Sequence, residues 1–200
     1  MKRVWVMTLA ALSGCQGKAG PELAGDLSGF ALPEATARPA FSLTTLAGDS
    51  FDFRARTAGR LTLLFFGYTN CPDVCPATMA NIGAVTNRLP SAERREFDVI
   101  FVTTDPDRDT PERLGPWLAK FDREIIGLTG SAAQLEAAQR AAGITVAFRD
   151  DSTGNYNVFH AAQVLVYSPD DSAHVMYPFG TRQAEWGADL PKLLTRWSGR

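Results

Sequence analysis

The stretch Leu61 to Pro76, LTLLFFGYTNCPDVCP, constrains this chain more than any other. Leu61 to Phe66 is an almost unbroken apolar run. A run of that length suits a strand covered on both faces, as in a parallel sheet lying under helices. Gly67 to Asn70 breaks the pattern with turn residues. Pro72 then falls where a first helical turn tolerates proline, because that N–H would lack a partner anyway. Residues four apart on a helix share a face, so Cys71 and Cys75 can address the same spot. Both lie at the positive end of the helix dipole, which favours thiolate over thiol. Such a pair can attack a disulfide, form one, or hold a soft metal. A purely structural disulfide would close a very short loop and stabilise little.

The 200 residues fit one domain with extensions, and a hydrophobic content of 45% with 21% charged residues suits a soluble globular protein. A net charge of −2, with no Lys/Arg block, argues against nucleic acid as a partner. Lys2 and Arg3 precede an apolar segment from Val4 to Leu12, which has the length of a signal-peptide core and is too short to span a bilayer. Leu12-Ser13-Gly14-Cys15 then resembles the bacterial lipoprotein signal. That resemblance implies removal of residues 1–14 and lipid on Cys15, giving a membrane-anchored protein that faces the periplasm or cell exterior. With Cys15 consumed, Cys71 and Cys75 are left as an isolated pair. Residues 16–39 are rich in Gly, Ala and Pro and read as a flexible tether, with the domain occupying 40–200.

Within the domain, Phe41 to Leu43 and Phe51 to Phe53 alternate around a Gly-Asp turn and predict a hairpin. The cysteine helix is expected to run to about Leu89, and Phe97 to Thr104 is a second buried strand. Asp109 with Glu112, and Ser131 with Gln134, have capping-box spacing and predict helix starts. Ile144 to Phe148 and Val158 to Tyr167 read as strands. A turn at Ser168 to Ser172 leads into Ala173 to Tyr177, and a final helix from about Gln183 is expected to break at Gly187 or Pro191. Strands alternating with helices, then a closing hairpin and helix, predict an α/β fold with a mixed central sheet. The economical layout is thioredoxin-like, with an N-terminal hairpin at 40–60 and an insertion at 111–142. Its reactive junction sits at a strand carboxyl end, where open α/β sheets carry their sites.

Four segments occur in order: FFGYTNCPDVCP, VTTDPDRDTPERL, GLTGS, and a lone histidine ahead of a strand and an SPDD turn. Together they resemble the Sco (SenC) family of membrane-anchored, thioredoxin-like copper proteins. The resemblance covers about residue 39 to the C-terminus. It implies copper, as Cu(I) or Cu(II), held by Cys71, Cys75 and His160. It also implies delivery to the binuclear copper centre of cytochrome c oxidase, through its copper-bearing subunit or another copper chaperone. The donor chemistry agrees, since thiolates select Cu(I) and imidazole also suits Cu(II). The family commonly has an acidic residue before the histidine and a hydroxyl after it. Here Phe159 and Ala161 flank His160, so the usual orienting carboxylate and hydroxyl are missing, and a backbone carbonyl could substitute.

Other candidates have simpler readings. Met79 lies one turn beyond Cys75 and suits core packing better than ligation. His174 reads as a surface histidine, and Asp73 as a first-turn carboxylate favoured by the dipole. Asp105, Asp107 and Asp109 read as caps and loop bonds, since a calcium hand would also need its glycine and glutamate. Trp117, Trp186 and Trp197 read as packing or interface aromatics. The alternative function is a thiol–disulfide oxidoreductase that reduces the cysteines of a copper-accepting partner, with Cys71 and Cys75 as its catalytic pair. Thioredoxins use C-x-x-C and a proline before the facing strand, but no proline lies between Thr145 and Ser168. A peroxide reductase would need an activated thiolate beside an arginine, which no motif specifies.

Overall fold

The structure is a computed structural model that describes residues 25–152 and 156–197. The segment expected to be a signal peptide, residues 1–14, and the expected lipidation site Cys15 lie outside the described residues. The strands are β1 (Phe30–Ala37), β2 (Ser42–Thr45), β3 (Ser50–Asp52), β4 (Leu61–Gly67), β5 (Phe97–Thr103), β6 (Ile126–Thr129), β7 (Phe148–Asp150), β8 (Asn157–Phe159), β9 (Val164–Tyr167) and β10 (Ser172–Tyr177). The helices are α1 (Phe53–Thr57), α2 (Val74–Thr86), α3 (Ser91–Arg94), α4 (Pro111–Leu118), α5 (Ala132–Ala141) and α6 (Gln183–Trp197).

Eight strands form one sheet in the order β1-β10-β9-β4-β5-β6-β2-β3, and β7 and β8 form a separate two-stranded ribbon. β4 runs parallel to β5, β5 parallel to β6, and β9 antiparallel to β4, so the sheet is mixed. Every residue of β4 is buried. Strand alternation divides them: Leu61, Leu63 and Phe65 face the cluster that also holds Met79, Ile82, Trp186 and Leu190, while Leu64 and Phe66 face the cluster of Leu43, Phe53, Leu135 and Ala138. This two-sided burial is why the strand reads as a continuous apolar run. Met79 is fully buried, and Trp186 packs on Tyr177 with ring centroids 4.2 Å apart. Trp117 lies between Phe101 and Phe121. Among the described residues no helix is long and apolar enough to cross a membrane.

Several boundaries differ from the sequence reading. Residues 30–37, assigned above to the tether, form β1 and pair antiparallel with β10. Their mostly exposed side chains include Pro33 and Glu34, so backbone pairing rather than apolar alternation makes the strand. Arg38 follows it and is buried, donating to Thr57, Thr62, Asp171 and the carbonyls of Arg60 and Ser168. The cysteine helix starts at Val74 and ends at Thr86. Residues 144–147 are not strand, and the segment read as Val158 to Tyr167 breaks after Phe159 and resumes at Val164. The expected break in the last helix does not occur. Pro191 cannot donate to the carbonyl of Gly187, yet buried Trp186, Leu190, Leu193 and Leu194 hold the helix to the sheet.

Candidate metal centre

Cys71, Cys75 and His160 converge, with their ligand atoms all within 4.8 Å of one another. They are the one group among the described residues whose His, Cys, Asp and Glu side chains could hold a metal ion. Both cysteines are free. β4 delivers the chain to the turn at its carboxyl end, where Cys71 N–H donates to the Tyr68 carbonyl at 3.3 Å. The first helical turn then carries Cys75. Asp73 is the N-cap residue but makes no side-chain cap; instead the Cys71 sulfur accepts from Cys75 N–H at 3.4 Å. The Cys75 sulfur is fully buried against the strand end and accepts from Tyr68 N–H at 3.5 Å. Gly67 makes that approach possible, because a Cβ there would lie 2.7 Å from the Cys75 sulfur and 2.9 Å from the Phe65 ring. The sequence reading treated Gly67 only as a turn residue.

The imidazole arrives from the opposite side, just after β8. His160 Nε2 is 3.3 Å from the Cys75 sulfur, and Nδ1 is 2.9 Å from the Ala161 carbonyl. A carbonyl can only accept, so Nδ1 carries a proton, and the bond fixes the ring with Nε2 turned toward the sulfurs. The Ala161 backbone thus supplies the orienting partner that the side chains of Phe159 and Ala161 cannot. Phe65 and Tyr68 meet the ring edge-on, with centroids 6.0 and 5.6 Å away.

The two thiols are electrostatically unequal. Cys71 is lowered to about 4, first by its side-chain hydrogen bond with Cys75 and further by His160 and the backbone N–H groups of Cys75 and Asp73, against desolvation. Cys75 is pushed far above the ordinary thiol range, first by desolvation, then by its hydrogen bond with Cys71 and the Cys71 charge. The site thus favours a thiolate at Cys71 and a thiol at Cys75, with the Nε2 edge of the imidazole turned toward them. That donor set is soft, with a pair of sulfurs and a nitrogen, and suits a thiophilic metal better than a hard cation.

The aspartates of the following loop serve a structural purpose. Asp109 does not cap α4, whose N-cap is Thr110. Its buried carboxylate accepts from Thr69 N–H at 3.0 Å, Thr69 Oγ1 at 2.5 Å and Thr103 Oγ1 at 2.7 Å, bracing the turn that leads to Cys71. Burial raises its pKa, opposed by those bonds. Asp105 is fully buried and Asp107 is exposed. His174 is also placed differently from the sequence reading: it is 9% exposed, with Nε2 at 2.7 Å from Asp170, because β10 lies between β1 and β9 rather than at an edge.

Comparison with known proteins places these features in a family. The family model described as SCO1/SenC matches residues 31–195. A putative copper-binding protein of Stutzerimonas stutzeri is 35% identical over 122 residues, 60% of each chain. The first relatives are matched over about a third to three fifths of their own length. Apo Sco1 of Thermus thermophilus superposes with a TM-score of 0.73 at 28% identity, over 84% of this chain and 96% of that one. Copper-bound ScoI of Bradyrhizobium japonicum gives 0.69 at 29% identity, over 80% and 99%. The domain is thus thioredoxin-like, and with a family match that spans nearly the whole described region, the chain belongs to the SCO1/SenC family.

Proposed function

We propose that this protein binds one copper ion as cargo between the sulfurs of Cys71 and Cys75 and Nε2 of His160, and passes it on during assembly of the binuclear copper centre of cytochrome c oxidase. The observation that carries the reading is the approach of these three donors to within 4.8 Å. The copper named for the Stutzerimonas and Bradyrhizobium relatives supports the choice of metal. The thiolate of Cys71 is charged before the metal arrives, whereas Cys75 must give up its proton, so loading releases a proton. The Tyr68 N–H aimed at the Cys75 sulfur favours the resulting negative charge. Cys71 is the more exposed cysteine, 8% against 0%, and is the ligand that an acceptor with thiols of its own would exchange first. Lipid on Cys15 would hold the domain at the membrane surface where such an acceptor lies.

The low Cys71 pKa favours a second reading. The Cys71 thiolate would attack a partner disulfide and form a mixed disulfide, releasing one partner sulfur as thiolate. Cys75 would then lose its proton and displace the other partner sulfur. The partner leaves as a dithiol, and this protein as the Cys71–Cys75 disulfide. Two assays on the full chain separate these readings. Copper-loaded protein is mixed with a reduced, copper-free oxidase copper subunit, and metal-free protein with the same subunit oxidised. The chaperone reading expects copper to move to the subunit; thiol production without copper transfer would replace it with the reductase reading.

A further inference from the structure

His160 stands next to a segment with little support from the core. β7 and β8 form an isolated two-stranded ribbon, and such a ribbon is marginal in water. Phe148 and Phe159 stack on each other, with ring centroids 5.1 Å apart, and remain 58% and 52% exposed. Val158 is the one buried residue of the two strands. A groove of about 320 Å³ lies alongside, bounded by Thr104, Leu135, Gln139, Phe148 and Val158. Apolar support for the imidazole is thus limited to Val158 in the core and the ring edges of Phe65 and Tyr68.

Polar contacts to the Asp105–Asp109 loop supply the rest. Tyr156, just before β8, donates its hydroxyl to buried Asp105 at 2.7 Å. The Arg108 guanidinium lies 3.7 Å from the centre of the Tyr156 ring, and its terminal N–H donates to the Tyr156 carbonyl at 3.1 Å. Its Nε donates to Asp105, completing a closed triangle of contacts. Arg149 of β7 adds an ion pair with Asp107 and lies 4.3 Å from the same ring. The loop is tied internally by Asp109 N–H donating to the Asp105 carbonyl at 2.9 Å. Through Asp109 it also grips Thr69, two residues before Cys71. One short loop thus holds both the thiol turn and the histidine ribbon.

The geometry points to Tyr156 and Arg108 as positioning residues for His160: they latch the ribbon to the loop and so keep the imidazole facing the thiols before any metal arrives. Neither touches a donor atom of the site. Their effect is preorganisation, which lowers the ordering cost of binding without adding a ligand. The inference rests on the copper reading for its purpose, but the latch itself can be tested without metal.

The test compares the full chain with Tyr156→Phe, Arg108→Lys, His160→Ala and the Tyr156→Phe/His160→Ala double variant. In reduced, metal-free protein, amide hydrogen exchange of Asn157 to Phe159 should quicken in Tyr156→Phe and Arg108→Lys, while β4 and α2 keep wild-type protection. In competition titrations with Cu(I), each latch variant should bind about tenfold more weakly. Tyr156→Phe should cost nothing further once His160 is alanine. Unchanged ribbon exchange, or the same loss of affinity with and without His160, would overturn the latch. Wild-type affinity in His160→Ala alone would instead overturn the three-donor reading, and the exchange measurement would still decide the latch.

Discussion

Cys75 and His160 come within 3.3 Å, yet they are held by opposite means. The sulfur sits over Gly67 at the end of the most buried strand, fully excluded from solvent. The imidazole follows a ribbon with two exposed phenylalanines, tied down by a tyrosine, two arginines and two aspartates. Packing fixes the first half of the site, and polar contacts do most of the holding in the second. Packed cores are close to crystalline in density and adjust poorly, whereas a ribbon held by a handful of hydrogen bonds can open at modest cost. On the proposed copper-transfer reading, a rigid sulfur side and a releasable nitrogen side form a workable division.

Substitutions on the two sides should therefore behave differently. The largest effect is expected for Cys71→Ser or Cys75→Ser, which keep side-chain size but remove the soft donors. Either should abolish stoichiometric copper binding, measured as metal per chain after desalting, while circular dichroism stays that of the wild type. Gly67→Ala comes next. Its new Cβ would overlap the Cys75 sulfur and the Phe65 ring, so chemical denaturation should show a loss of about 1–3 kcal/mol. Copper binding should weaken with it.

Cys71 offers a pH test of the sulfur side. Its pKa is lowered, to about 4, so the reactive thiolate persists from neutral pH downward and is lost as pH falls through that value. Alkylation of metal-free protein by iodoacetamide should stay nearly flat between pH 8 and pH 6 and decline only near pH 4, with Cys75 unmodified under native conditions. A decline centred near pH 8 to 9 would contradict the hydrogen-bonded thiolate. The smallest effect belongs to the ribbon face. Phe159→Ala removes a stacked pair exposed to water and should cost no more than about 1 kcal/mol in the same denaturation experiment.

The same division explains what the sequence discloses. β4 is legible because burial on both faces leaves an unbroken apolar run, and the cysteine spacing is legible because helical periodicity is local. The Ser131–Gln134 capping box forms as its spacing predicts, with both reciprocal bonds present. The β2–β3 hairpin also appears where alternation places it. Contacts between distant segments leave no such mark. β1 is recognised only through its pairing with β10, and Arg38 looks like a tether residue until the carbonyls around it are in place. Asp109 has the spacing of a cap, but its carboxylate turns toward Thr69, 40 residues earlier in the chain. Tyr156 lies in a polar loop with no periodicity, so its bond to Asp105 across 51 residues has no local signal. The break between β8 and β9, which frees the His160 loop from the sheet, is hidden because apolar residues lie on both sides of it.

The central claim is that two sulfurs and one nitrogen meet on a single metal ion. X-ray absorption on the full reduced chain loaded with one equivalent of Cu(I), in wild type and His160→Ala, measures this directly. The account predicts two sulfur ligands and one imidazole nitrogen in the wild type, with the nitrogen scattering lost in the variant. A wild-type spectrum containing only sulfur, or an unchanged nitrogen shell in His160→Ala, would contradict it.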